Sequence, residues 1–474
     1  MVFVIGGTTH PPHAWASLGV PHRSASGAES RRGASKDVFM KVSNHAGKRR
    51  GARAILEQLE RLDRVFACYP GPMFPPPPRW SRHITTASVT GTNGKTTTTT
   101  FLAAALGRLA RPVLRVTTLG VFLDDTPLPF SASHDAFLEC MRRGFEAGAR
   151  HAAVEATSEA LAFGFAKAWP ISVAVFTNLS RDHLDAHGSV EHYLASKAQL
   201  FVHLPAGGVA VLNAWDPASA LLAEVVASGA RTVTYGITSR APGRPVLRPD
   251  LTAEGISVGW EGTRARLVPS PQYRTMPAEI RIRAIGEPFL ENALAALAAA
   301  IEMGVPPADA VEALSRVPTP PGRFQVLGEG PRAVVDYAHS PDALARTLAT
   351  ARGLTEGRLV VVFGAGGDRD RGKRAAMGEA ARGADRVVLT TDNPRSEDPA
   401  AIAEEIRIGL GDHPDVRRVL DRAEAIEGAI AEAGPRDVVV LAGRGPETEQ
   451  VFASGRRPLV DAAVAAEALA RRGA

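Results

Sequence analysis

The stretch Ser88-Val89-Thr90-Gly91-Thr92-Asn93-Gly94-Lys95-Thr96-Thr97 constrains this chain more than any other. It follows an apolar, β-branched run and leads into a helical pattern predicted from Thr97 to about Leu109. A strand, a Gly-rich turn and a helix in direct succession make a phosphate-binding loop. The N–H groups of such a turn point outward beside the positive end of the helix, where a polyphosphate settles. Lys95 supplies counter-charge and Thr96 a hydroxyl ligand for Mg2+. One position departs from the full G-x-x-x-x-G-K-[ST] spacing: Val89 stands where the first glycine would. A turn that only starts a helix has no need of Lys and Thr at these places. The loop is read as a nucleotide site.

A chain of 474 residues holds about two or three domains with ample core. An apolar share of 45% beside 22% charged residues is that of an ordinary soluble protein. The longest apolar stretches, such as 293–303, read as buried helix, so no membrane partner is expected. No charged leader with an apolar core opens the chain, and the only cysteines are Cys68 and Cys140. Both features suit a reducing cytoplasm. The net charge of +5 is not gathered into a basic stripe with interleaved aromatics, so nucleic acid is not expected as a partner.

Residues 1–85 are expected to be a divergent extension. Positions 1–50 are rich in Pro, His, Ser, Gly and basic residues, which predicts disorder or a translation start nearer Met40. Ile55, Leu56, Leu59, Leu62 and Phe66 predict one amphipathic helix over 52–66, and the Pro-rich run 70–78 a stiff linker. Residues 86–320 form the next unit. Strands are predicted at 113–118, 151–156, 171–177 and 209–212, alternating with helical patterns, hence a mostly parallel sheet. Segments 255–268 and 279–284 read as further strands on an antiparallel edge, followed by helices over 289–303 and 307–316. The Pro-rich run 318–322 marks a boundary. Residues 321–474 repeat the rhythm, with strands at 333–337, 359–363, 386–390 and 438–441 and helices at 341–352, 373–382, 399–409, 423–433 and 461–471. The expected fold is therefore α/β: a central P-loop-type ATPase domain, then a smaller Rossmann-like, doubly wound domain.

Three further residues carry candidate chemistry. Glu155 ends a strand and faces the crevice where open α/β sheets bind ligands; it can hold a nucleotide's Mg2+ or be a solvated strand-end acid. The run Phe176-Thr177-Asn178-Leu179-Ser180-Arg181-Asp182-His183-Leu184-Asp185-Ala186-His187-Gly188-Ser189 packs many ionisable groups into one loop. His183 there is either a neutral metal ligand or a hydrogen-bonded surface histidine. Lys197 lies among apolar neighbours on a helix. Burial would lower its pKa and let the free amine take up CO2 as a carbamate, an anionic metal ligand; the other reading is a solvated helix lysine.

These segments occur in order with Gly322-Arg323-Phe324, Val335-Asp336-Tyr337-Ala338-His339-Ser340-Pro341-Asp342, 363–377, Asp392-Asn393-Pro394-Arg395 and Gly443-Arg444-Gly445-Pro446-Glu447. Over about 86–455 the set resembles the Mur ligases of peptidoglycan synthesis. It is most similar to the MurE type, which adds the third amino acid to UDP-N-acetylmuramoyl-L-alanyl-D-glutamate. The resemblance implies a ligase in which ATP phosphorylates the acceptor carboxylate and an amine attacks the resulting acyl phosphate. Gly91, Thr92, Asn93, Gly94, Lys95, Thr96 and Thr97 would hold the ATP phosphates. Asn292, Arg323, Asp336 and His339 would contact adenine, ribose and phosphate where the two domains close. Thr96, Glu155, His183 and a carbamylated Lys197 would hold Mg2+, and Lys95, Glu155, His183 and Lys197 form the catalytic set.

The form Asp392-Asn393-Pro394-Arg395 resembles that of ligases using meso-diaminopimelate. By that resemblance Arg395 grips the distal carboxylate through paired hydrogen bonds. Arg374, Glu447 and the backbone near Gly443 complete the pocket, and Ser158 lies on the acceptor side. The implied partners are small molecules only: ATP, diaminopimelate and a carboxylate acceptor, bound by a monomer. The acceptor side departs from the family pattern. Residues 1–85 show no uridine-binding domain, Ala132-Ser133-His134 replaces Thr-Thr-Pro, and Glu159, Gly164 and Ala166 stand where His, Gln and Arg are usual. Three readings stay open: the peptidoglycan ligase, a related ligase with another carboxylate acceptor, and a nucleotide-binding partner without ligase activity.

Overall fold

The computed structural model describes Arg53, Glu57 and residues 75–473 except Ala132, 239–242 and Arg274. The predicted extension, and the helix over 52–66 and linker from 70 apart from those residues, lie outside the described residues. Eleven strands form the first sheet: β1 (Thr85–Thr90), β2 (Val113–Thr117), β3 (Gly120–Leu123), β4 (Thr126–Leu128), β5 (His151–Glu155), β6 (Val173–Phe176), β7 (Val209–Asn213), β8 (Arg231–Ile237), β9 (Leu251–Gly259), β10 (Gly262–Pro269) and β11 (Glu279–Ile282). Their order is β11-β10-β9-β8-β7-β6-β1-β5-β2-β3-β4. From β9 to β2 all pairings are parallel, and both edges are antiparallel.

The central strands are buried on both faces, so their side chains divide between two cores. Val89, Val175 and Val211 pack on one side with the helices Lys95–Leu106, Glu287–Glu302 and Pro307–Arg316. Ala174, Phe176, Ala210 and Leu212 pack on the other with the helices His134–Glu146, Val190–Val202 and Pro217–Val225. Residues 289–300 are buried throughout, and the alanines among them let the helix Glu287–Glu302 lie close against Lys95–Leu106.

The second sheet runs β12-β13-β17-β14-β15-β16, from β12 (Gln325–Leu327), β13 (Arg332–Asp336), β14 (Leu359–Phe363), β15 (Arg386–Leu389), β16 (Val416–Arg418) and β17 (Val438–Ala442). All pairings but β12–β13 are parallel. A hairpin of β18 (Glu449–Phe452) and β19 (Gly455–Pro458) follows, then the helix Asp461–Gly473. The α/β class is as expected. One apolar cluster runs from Ala87 through Phe324 to Ala442, joining the two domains. Among the described residues no helix is long and apolar enough to cross a membrane.

Three local expectations are corrected. The helix read from Thr97 starts at Lys95, because Gly94 turns the chain at φ +85° and ends the loop there. Segment 255–268 is a hairpin, β9–β10, because Gly259 and Gly262 flank its turn. At Gly262 (φ +127°) a β-carbon would fall 2.1 Å from the Ile282 carbonyl. Strands β3, β4, β8, β12, β16, β18 and β19 were not expected; most are short or expose one face, so they lack a continuous apolar run.

Candidate active site

In the first sheet the chain order reverses at β1, which lies between β5 and β6. Its crevice is where an open α/β sheet binds ligands. The loop after β1, Glu155 at the end of β5, and Thr177 and Asn178 after β6 all meet there. Gly91 is glycine of necessity: at φ +149° a β-carbon would sit 1.9 Å from Thr177 Oγ1. At Gly94 a β-carbon would sit 2.2 Å from Asn292 Oδ1, so the loop lies directly against the helix that carries Asn292. The Asn93 N–H donates to Asn178 Oδ1 at 2.9 Å.

Lys95 Nζ donates to the Thr92 carbonyl at 2.8 Å and the Gly91 carbonyl at 3.2 Å. Lys197 Nζ donates to the same Gly91 carbonyl at 2.7 Å and lies 4.2 Å over the Tyr193 ring. Lys197 is wholly buried; burial first, and the Lys95 charge second, hold its ammonium well below the usual lysine range. The reading of Lys197 as a solvated lysine is therefore corrected: the helix Val190–Val202 turns it into the sheet crevice. Thr96 Oγ1 donates to Glu155 Oε2 at 2.8 Å, and the Thr118 N–H donates to the same oxygen at 3.1 Å. Glu155 is buried, not a solvated strand end.

His183 takes the left-handed conformation, φ +54°, and its N–H donates to Asp182 Oδ1 at 3.0 Å. Burial in the crevice lowers its imidazole to about 3, against the pull of Asp182. It is thus neutral at pH 7, with a ring nitrogen free of its proton. Among the described residues no group of three His, Cys, Asp or Glu side chains gathers as a metal site. The oxygen pair Thr96 and Glu155 is of the type a hard divalent cation takes.

Asp182, beside His183, joins the two domains. Its Oδ2 lies 3.3 Å from His339 Nε2 and its Oδ1 3.3 Å from Lys373 Nζ. Burial pushes its carboxyl up, but His339, Lys373 and His183 together hold it below the usual carboxylate range. Arg181–Asp370, Arg369–Asp185, Arg346–Glu291 and the Asn93–Asp342 hydrogen bond cross the same junction.

On the second domain, Arg323 lies 4.4 Å over Tyr337 and reaches Thr96 Oγ1 at 3.4 Å, while its buried Nη1 has no partner. Asp336 lines the same space, but both its oxygens already accept hydrogen bonds, from the Phe324 N–H at 2.6 Å, the Ala338 N–H at 3.0 Å and Thr347 Oγ1 at 3.1 Å. Its carboxylate sets the turn that aims Arg323. Arg395 (φ +52°) donates from Nη1 to the Gly367 carbonyl at 2.6 Å and the Asn393 carbonyl at 3.3 Å. Asn393 Nδ2 donates to Glu447 Oε2 at 2.7 Å.

One cavity of about 700 Å³ gathers Thr92 to Thr97, Glu155, Ser158, His183, Lys197, Asn292, Arg323, Asp336, His339, Asn393, Arg395 and Glu447. Five expected residues are not brought to it. Gly91 lies behind the loop, and Pro394 against Gly367. Asp392 Oδ1 accepts the Asn393 N–H at 2.7 Å, and Gly443 (φ +108°) packs on its Oδ2. Arg374 is the clearest correction. It is buried in a paired contact with Glu397 at 2.8 Å and another with Glu405 at 2.9 Å, so it builds the wall and does not reach a substrate.

Residues that sequence reasoning missed include Asp182, Lys373, Tyr193 and the hairpin residues Thr448, Glu449, Val451 and Arg456, which close one side of the cavity. The acid-rich loop was a signal for Asp182; the hairpin carried none.

Residues 89–300 match the Mur ligase middle domain, and residues 322–445 match the Mur ligase, glutamate ligase domain. The chain is 39% identical over 403 residues to the UDP-N-acetylmuramoyl-L-alanyl-D-glutamate--2,6-diaminopimelate ligase of Pseudomonas putida, covering 82% of this chain and 79% of that one. It is 40% identical over 403 residues to the ligase of the same name from Bradyrhizobium diazoefficiens, with the same coverage. A solved structure of a ligase of that name superposes with a TM-score of 0.55 at 32% identity, over 85% of this chain and 80% of the other. MurF of Acinetobacter baumannii shares the fold, with a TM-score of 0.61 at 19% identity over 83% and 78% of the two chains.

Proposed function

This chain belongs to the Mur ligase family, and on that premise we propose that it joins meso-diaminopimelate to UDP-N-acetylmuramoyl-L-alanyl-D-glutamate at the cost of ATP. The observation that carries the reading is the single cavity in which the phosphate loop of one domain faces Arg395 and Glu447 of the other. An acceptor carboxylate oxygen attacks the γ-phosphorus of ATP, ADP leaves, and an acyl phosphate forms. The amine nitrogen then attacks the acyl carbon, the tetrahedral intermediate expels phosphate, and the nitrogen loses its proton. Lys95 and Arg323 answer the charge spread over the transferring phosphoryl oxygens. Asn292, which packs on Gly94, would contact the nucleotide together with His339. Arg395 takes the distal carboxylate of the amino acid and Glu447 its distal ammonium.

The residues present fit Mg2+: Thr96 and Glu155 offer buried oxygens, His183 a neutral nitrogen, and Lys197 an amine poised for carbamylation. The ion, when bound, neutralises phosphate charge. Asp182 and its cross-domain partners tie the two domains together over the cavity, which limits the access of water that would hydrolyse the acyl phosphate. On this reading the enzyme acts as a monomer in the cytoplasm, where ATP is available.

One observation favours a second reading, the same chemistry on another acceptor. Glu159 lines the cavity beside Ser158, and an acid there disfavours an acceptor that carries the several further anionic groups of the UDP-linked dipeptide over a less charged carboxylate. Mass analysis of the product after incubation with ATP, diaminopimelate and the UDP-muramoyl dipeptide decides between them. The acceptor plus one diaminopimelate minus water supports the first reading, and unchanged acceptor the second.

Two consequences follow for variants. Gly94→Ala must displace Asn292, so KM for ATP should rise about tenfold while KM for the amino acid holds; equal changes would contradict the contact. Asp182→Asn removes the charge shared by His339 and Lys373. It should lower kcat about tenfold and raise the share of ATP hydrolysed without product, measured as phosphate released per ligation.

A further inference from the structure

The turn between Gly443 and Glu447 carries a cation that the chemistry above does not use. Arg444 is wholly buried, yet its Nε and Nη1 have no hydrogen-bond partner. Only Nη2 is engaged, donating to the Leu459 carbonyl at 3.0 Å and the Glu447 carbonyl at 3.5 Å. The nearest carboxylate, Asp461, lies 3.8 Å from Nε and is already taken. Arg422 binds it on both oxygens, at 2.9 and 2.6 Å. Two buried arginines therefore share one buried aspartate, and the cluster keeps a surplus positive charge.

That surplus has two acids to act on, Asp392 and Glu447. Asp392 is turned away, toward its own Asn393 N–H. Glu447 opens on the cavity, and Arg444 holds it at both ends of a tight turn. The Glu447 N–H donates to the Arg444 carbonyl at 3.0 Å, while the Arg444 side chain reaches the Glu447 carbonyl. Gly445, at φ +50°, permits the turn.

Resting on the functional reading above, we propose that Arg444 is a positioning residue that keeps the Glu447 carboxylate ionised and posed for the distal ammonium of the incoming amino acid. Arg444 thereby sets the preference for a diamino over a monoamino substrate. Burial first and Asp392 second push the Glu447 carboxyl up; Asn393, Arg444 and His339 pull it down. Arg395, Arg422 and Tyr337 also sense the Glu447 charge. Glu447 is only partly buried where it opens on the cavity, but the Arg444 cluster behind it is wholly buried, so losing that cation raises its carboxyl.

The test compares native protein with R444M, R444Q and R444K, using diaminopimelate and 2-aminopimelate, which lacks the distal amine. R444M should raise KM for diaminopimelate at pH 7 at least about tenfold, with KM for ATP and for 2-aminopimelate within about twofold of native. The raised KM should fall as pH rises toward 9, because Glu447 regains its charge. R444K should stay within about threefold of native. R444Q carries the same prediction as R444M and serves if R444M fails to fold. An equal rise for ATP, an equal rise for both amino acids, or a KM without pH dependence overturns the proposal. Native turnover of diaminopimelate with an unaffected R444Q overturns this inference alone. A native protein with no diaminopimelate-dependent turnover overturns the functional reading beneath it.

Discussion

Lys95→Ala should cut amino-acid-dependent phosphate release about a thousandfold, with the fold unchanged by circular dichroism. The lysine opens the helix Lys95–Leu106 and its Nζ hangs over the loop, bonded only to the Thr92 and Gly91 carbonyls. Burial lowers its ammonium, while Glu155 and Asp182 sustain it. A bound triphosphate adds far stronger negative charge at the same place, so the lysine meets it fully charged. Without that cation the phosphoryl oxygens develop charge in a dry cleft with Arg323 as the nearest substitute. A variant within about tenfold of native would remove Lys95 from the chemical step.

Arg395→Ala should raise KM for diaminopimelate about a hundredfold and leave KM for ATP nearly unchanged. Asn393 and Gly367 fix one side of its guanidinium through their carbonyls, in a left-handed backbone that few residues other than glycine adopt. That strain aims the remaining N–H groups into the cavity. Burial lowers the arginine's pKa, yet the group stays charged, and a carboxylate would replace the water it has lost. Steady-state kinetics with each substrate varied in turn checks this. Equal rises in both KM values would place Arg395 in the scaffold.

The loop from Ser88 to Thr97 was legible because its glycines take positive φ, a demand of the turn itself, and Lys95 and Thr96 stand at fixed offsets from them. The parallel strands were legible because burial on both faces demands unbroken apolar runs such as Val438–Ala442. Other features depend on partners that no local pattern announces. Arg374 looks like a substrate clamp until the fold brings Glu397 and Glu405 against it. Asp182 is one acid in a crowded loop until the second domain supplies His339 and Lys373. The β18–β19 hairpin exposes polar residues on both strands, so neither period nor hydrophobicity marks it. Lys197 lay between the two cases, its apolar neighbours visible and its depth in the crevice not.

The most direct measurement is phosphate release from ATP by the purified protein with meso-diaminopimelate, in the presence and absence of UDP-N-acetylmuramoyl-L-alanyl-D-glutamate. Release that requires both the amino acid and the UDP-linked acceptor is the predicted result. Release indifferent to that acceptor, or none while diaminopimelate still binds, would contradict the assignment of substrate.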